Sequence, residues 1–132
     1  MFADFFVILF AAHHLSDYPL QTDYQALHKA DRTATGWRAN LAHAGTHVTT
    51  SAVLLWLGIL ILDLHASAAG TVAALAWIGC SHSLIDRRWP VRWWMEHTGQ
   101  TSYLANGGAQ YVDQAFHIGL GLLPAAVTLA AM

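Results

Sequence analysis

Charge is what this chain has least of. Only 11% of its 132 residues are Asp, Glu, Lys or Arg, where ordinary soluble domains carry about 25%. Against this stand 55% hydrophobic residues and six Trp. So much apolar surface, with so little charge to solvate it, points to lipid. Nine His and many Ala and Thr dilute the mean hydropathy to +0.37, which keeps a soluble all-α bundle as the competing reading.

Cysteine is nearly missing too. Cys80 stands alone, so an intrachain disulfide and a cysteine-based zinc motif are both excluded. A net charge of -2 with neutral His leaves no basic stripe for nucleic acid. Met1-Phe2-Ala3-Asp4 has no positive n-region, so the first apolar segment is expected to stay rather than be cleaved as a signal peptide. Gly-x-Gly-x-x-Gly, nucleophile-elbow and phosphate-loop motifs are absent, and so is strand alternation. No sheet is expected.

What is present reads as one domain of four helical segments. They run from about Phe2 to Tyr18, stopped by Pro19, then Arg38 to Asp63, Ser67 to Asp86 before Trp89-Pro90, and Ala109 to Met132. The last three approach the roughly 20 residues that cross a bilayer. The first is short and would tilt or thin the membrane locally. Gln100 to Gly108 reads as turn. All six basic residues fall between segments: Lys29, Arg32 and Arg38 after the first, Arg87, Arg88 and Arg92 after the third. The positive-inside rule then places both loops in the cytoplasm and both termini outside. Trp37, Trp89, Trp93 and Trp94 flank these loops like an interfacial belt, while Trp56 and Trp77 read as lipid-facing or packing residues. The expected fold is all-α, a polytopic four-helix up-down bundle in the inner (cytoplasmic) membrane. His13-His14-Leu15-Ser16-Asp17 resembles His82-Ser83-Leu84-Ile85-Asp86. The chain therefore reads as two related hairpins, 1–66 and 67–132, or the short match is coincidence.

The chemistry lies in four spaced pairs: His13-x-x-x-Asp17, His43-x-x-x-His47, His82-x-x-x-Asp86 and Asp113-x-x-x-His117. Residues i and i+4 share a helix face. Given the helix directions, all eight fall near the cytoplasmic ends, in two layers about 6 Å apart along the helices. His13, His47, His82 and His117 form the deep layer, and Asp17, His43, Asp86 and Asp113 the shallow one. Ionisable residues inside a span are costly and by default functional. Imidazole and carboxylate suit a divalent metal such as Zn, Fe or Mn. Eight ligands exceed one ion's needs and would serve two ions about 3.5–4 Å apart, with the surplus as outer support or general base. A hydrogen-bonded His/Asp network clamping the helices is the alternative, and a proton or ion pathway a third reading.

Other polar residues fit around this cluster. Asn40, His43, His47, Thr50 and Ser51 form a stripe that faces protein or water, or makes a helix contact. Gln21 and Asp23 cover the site or make an ordinary turn. Lys29 and the arginines meet anionic headgroups or a phosphate-bearing substrate, or simply set topology. His14 falls outside the cluster, and so does Cys80, which packs elsewhere. His28 and His97 have no readable partner, and Asp63 and His65 lie at the opposite end.

His13-x-x-x-Asp17-Tyr18-Pro19-Leu20-Gln21, His43 and His47, His82-Ser83-Leu84-Ile85-Asp86 and Asp113-Gln114-x-x-His117 together resemble the domain of unknown function 3307 family. These are small integral-membrane proteins of bacteria and their phages. The resemblance implies four membrane helices and no established activity. The His-x-x-x-Asp helices also look, in style, like those of membrane-bound proteins predicted to be metal-dependent hydrolases. Three functions follow as expectations. The first is metal-dependent hydrolysis at the cytoplasmic interface, of a lipid, a phosphoester or a small amphiphile. The second is a divalent-metal transporter or sensor, although Leu54 to Leu62 and Leu120 to Ala131 offer few polar residues for a path. The third is a non-enzymatic membrane interaction protein with a structural cluster. Oligomeric state cannot be read from these residues.

Overall fold

Long apolar runs in this chain become helices, and they stop where local chemistry stops them. The computed structural model describes residues 1–132 and is all-helical. Its elements are α1 (Phe2–Asp17), α2 (Asp23–His28), α3 (Ala34–Leu62), α4 (Ala68–Ile85), α5 (Trp89–His97), α6 (Thr101–Ala105) and α7 (Ala109–Phe116), then a π turn (His117–Leu122) and α8 (Leu123–Ala131). Hydroxyl caps begin three helices. Thr22 accepts from the Gln25 N–H at 3.2 Å, Thr33 from Gly36 at 3.1 Å and Ser67 from Gly70 at 2.9 Å. Each satisfies a first-turn donor that a helix leaves open.

The connections are more ordered than the sequence suggested. Thr22 and Gln25 close a capping box that makes α2 a helix inside the first loop. Thr33 caps α3, which begins at Ala34, four residues before Arg38, so Arg38 lies within a helix. Pro90 sits at the start of α5, where its fixed φ favours helix, and Arg92 belongs to that helix. The stretch expected as turn, Gln100 to Gly108, contains α6.

The last segment departs most from a plain span. Pro124 has no N–H, so the carbonyl of Leu120, four residues earlier, loses its intrahelical donor and is crowded by the ring. The chain widens into the π turn just before this point. From α4, the Trp77 indole N–H donates to that Leu120 carbonyl at 2.9 Å. In lipid an unpaired carbonyl costs several kcal/mol, so Trp77 does more than face outward.

Packing divides the molecule into an apolar end and a polar end. Helix α1 lies against α3 and α8, and α4 lies against the same two. Phe5, Leu9, Leu55, Ile78, Leu122 and Leu129 lead the main core. Three helical runs are long and apolar enough to cross a membrane: Ala34–Leu62, Ala68–Ile85 and Ala109–Ala131. Their outward faces expose Val53, Trp56, Ile61, Val72 and Val127, an apolar exterior that suits lipid. Helix α1 has 16 residues and, at 1.5 Å per residue, is shorter than the roughly 30 Å hydrocarbon core.

One glycine seats the first loop on α3. A Cβ on Gly36 would overlap the backbone carbonyl of Asp31, whereas one on Gly45 would meet nothing within 4 Å. Gly36→Ala is expected to cost about 1–3 kcal/mol of stability, seen as a lower melting temperature in detergent, while Gly45→Ala, in open space inside a helix, leaves the melting temperature unchanged or raises it slightly.

A candidate metal centre

The i,i+4 spacing turns each pair inward at one end of the molecule. Helix α1 supplies His13 and Asp17, and α3 supplies His43 and His47. His82 comes from α4 with Asp86 just past its end, and Asp113 from α7 with His117 opening the π turn. The five histidines and Asp86 are buried. Asp113 is 23% exposed.

Two carboxylates organise this end. Asp17 Oδ1 lies 3.2 Å from His43 Nε2 and 3.1 Å from His47 Nε2. Its Oδ2 lies 3.1 Å from His13 Nε2 and accepts from the Gln114 amide at 3.2 Å. Asp86 Oδ2 lies 3.1 Å from His82 Nε2 and 3.4 Å from His43 Nε2. Its Oδ1 lies 3.1 Å from Lys29 Nζ and 3.8 Å from His117 Nε2. The rings crowd together between them, with centroids 3.5 Å apart for His47 and His82 and 4.3 Å for His82 and His117. His13 stands 5.2 Å from His47, 5.6 Å from His82 and 5.3 Å from His117. The four deep-layer rings therefore meet.

Two sets of side chains could each hold a metal ion. One is Asp17, His43, His47 and His82, and the other is His82, Asp86 and His117; within each set the ligand atoms lie within 4.8 Å of one another. Ligand atoms about 2 Å from a shared ion would be about 3–4 Å apart, so modest closure suffices. The donor chemistry also fits. Buried His82 Nε2, Asp86 Oδ2 and His117 Nε2 make no well-aligned hydrogen bond, although His82 Nε2 and Asp86 Oδ2 lie 3.1 Å from each other. Poorly aligned polar contacts are costly when buried, and a shared cation would engage all three atoms. His117 Nδ1–H donates to the Asp113 backbone carbonyl at 3.0 Å. A carbonyl only accepts, so the Nδ1 proton is fixed and the Nε2 lone pair is presented to the cluster, as a metal-ligating histidine requires.

All eight expected residues therefore gather, but they are not equivalent. Six contribute to the two sets. His13 instead points Nε2 at Asp17 and donates to Gln114 Oε1 at 3.2 Å. Asp113 faces the far nitrogen of His117, with Oδ2 at 3.3 Å from Nδ1. These two orient other groups. His14 bonds back to the Phe10 carbonyl, and Cys80 is exposed away from the cluster. His28 does have a partner, Asp31, at 2.8 Å, and His97 bonds the Trp93 carbonyl.

Three contributors were not legible as such. Lys29 Nζ reaches the site, 3.1 Å from both Asp86 Oδ1 and His43 Nε2, and is only 12% exposed. Arg87 is buried rather than free for headgroups: Nη1 donates to the Lys29 carbonyl at 2.9 Å and Nη2 to the Asp31 carbonyl at 2.6 Å. Its guanidinium also lies 4.3 Å over the Trp37 ring. Arg87 thus clamps the loop that carries Lys29. Gln114 links His13 and Asp17. The capping-box pattern at Thr22 was the available signal that the first loop folds back as structure. Below, Asn40 donates to the Ser83 carbonyl at 3.0 Å and accepts from the Ser83 hydroxyl, tying α3 to α4. Burial opposes ionisation of Asp86, yet His82, Lys29 and His117 hold its carboxyl below the usual carboxylate range. The site opens to a cavity of about 540 Å³ whose lining includes Gln21, Lys29, Asp86, Arg88, Arg92 and Asp113. Gln21 also donates to the Asp17 carbonyl at 2.8 Å, so it stands at the mouth, while Asp23 is exposed at the start of α2.

Residues 5–129 match the model of a family described as Protein of unknown function (DUF3307). No curated protein and no solved structure matches the chain. The unequal roles of the carboxylates give a stability test without metal. Asp17→Ala strands several buried partners and is expected to cost about 3–5 kcal/mol, whereas Asp113→Ala at the rim costs under about 1 kcal/mol. Denaturant melts of the chelator-treated protein measure both.

Proposed function

We propose that this chain, which belongs to the DUF3307 family, is a multi-pass inner-membrane protein that binds one or two divalent metal ions and hydrolyses an ester or phosphoester at the cytoplasmic interface. The convergence of buried ligand atoms on His82, Asp86 and His117, within 4.8 Å of one another and without a well-aligned hydrogen bond, carries the metal part. Zn, Fe or Mn would suit this His and carboxylate set. In the membrane, α1 would join the three longer helical runs as a fourth span of an up-down bundle. The loops carrying Lys29, Arg32, Arg87 and Arg88 would face the cytoplasm, with both termini outside.

The hydrolase part rests on what surrounds the ligands. Bound metal lowers the pKa of water toward about 7. Asp17 or Asp86, where not engaged as a ligand, could accept the proton of attacking water. Water oxygen would then bond to the carbonyl carbon or phosphorus, the ester bond would break, and the alcohol would leave with a proton. Lys29, 3.1 Å from Asp86, is placed to offset negative charge. Asp113 holds His117 in one tautomer. A transporter would need a path to the far side, but Phe5, Leu9, Leu55, Leu122 and Leu129 fill that end with apolar core. A cluster that merely holds the fold would carry no metal.

Elemental analysis of the purified protein is expected to find one or two divalent ions per chain, and none of them in stoichiometric amount after His82→Ala. Asp113→Ala should keep the metal with affinity weakened about 10–100-fold. Wild-type protein without stoichiometric metal overturns the metal reading. Metal-loaded protein that cleaves nothing in a broad ester and phosphoester panel overturns the hydrolase reading alone.

A further inference from the structure

We propose that the cavity above the cluster is a seat for a phosphoryl group, gripped by Arg88 and Arg92 with Lys29 at its floor. This rests on the metal-site reading and names the substrate class for it. Three cations, Lys29, Arg88 and Arg92, line the cavity with two carboxylates, Asp86 and Asp113. Once Asp86 is bound to a cation, positive charge dominates the lining and favours an anion.

The two arginines differ sharply from their neighbour. Arg87 is buried and committed to two backbone carbonyls. Arg88 and Arg92 are exposed, and neither guanidinium has a hydrogen-bond or ion-pair partner. They are four residues apart at the start of α5, and the Arg92 N–H donates to the Arg88 carbonyl at 3.0 Å. Both side chains line one cavity. Arg88 also has φ of 61°, a left-handed conformation that costs a side-chain-bearing residue about 1–2 kcal/mol and glycine nothing. An arginine held there against its backbone preference, at the mouth of the cluster, implies a use for the guanidinium. Planar guanidinium forks match phosphate oxygens two at a time. A neutral carboxylic ester would leave both without a partner, so the seat favours a phosphoester over it.

The test measures inorganic phosphate binding by calorimetry, using the full chain in phosphatidylcholine nanodiscs, with metal content determined in parallel. Arg92→Ala and Arg88→Gly are each expected to weaken phosphate binding at least about tenfold and to leave metal content unchanged. Arg88→Gly should not lower the melting temperature, because glycine accepts the backbone angle; a merely structural Arg88 would lower it. Arg32→Ala, an exposed arginine outside this cavity, is the control and should change nothing. In nanodiscs containing phosphatidic acid, a headgroup source would compete the phosphate signal away, whereas a soluble phosphoester source would leave it intact. No phosphate binding by the metal-loaded protein, or equal binding by wild type and both variants, overturns the seat. Arginine-dependent phosphate binding without stoichiometric metal would sustain the seat and sink the metal reading.

Discussion

Two buried carboxylates, Asp17 and Asp86, are the constraint around which the polar end of this protein is arranged. A buried anion is tolerated only with partners close by. Asp17, at the end of α1, finds His43 and His47 on α3, and Asp86 finds His82 at the end of α4 and Lys29 from the first loop. Each carboxylate thereby fixes helices that are distant in sequence, and the histidines they share fix the two carboxylates relative to each other. His43 stands within 3.4 Å of both. The arrangement of the loops follows from the same need. Lys29 must enter the cluster, so its loop must be held down, and Arg87 holds it by two backbone carbonyls.

That polar end is sustainable because the rest of the molecule is so plain. Leu, Phe, Ile and Ala fill the opposite core, and apolar residues cover the outward faces of the long helices. Ionisable groups are thus concentrated where loops reach them, at the end that carries the basic residues. Polarity in this chain is not scattered through the helices, which explains why a moderate hydropathy still accompanies three membrane-length apolar runs.

Much of this could be read from spacing alone. A four-residue interval puts two side chains on one helix face whatever the helix packs against, so the gathering of His13, His47, His82 and His117 was legible. Spacing does not say which way a ring turns. His13 and Asp113 belong to the cluster by position but offer their atoms to neighbours rather than to a shared ion. Lys29 was illegible because the direction of a loop side chain depends on what clamps the loop, and Arg87 lies 58 residues away. The broken final helix was different: Pro124 stood in the sequence as a visible cause, but its consequence needed Trp77 from another helix. The family match over residues 5–129 agrees with the resemblance carried by these motifs and brings no reaction with it.

The bond between Trp77 and the Leu120 carbonyl bears on how the protein is made. Pro124 leaves that carbonyl without a donor in its own helix, so the final segment entering lipid alone would carry an exposed acceptor. Docking beside α4 removes this liability, because only then does the indole N–H arrive. In a membrane, this would couple insertion of the last segment to its contact with α4. The same π turn begins at His117, so the contact that shields the Leu120 carbonyl and the seating of His117 in the cluster belong to one stretch of backbone.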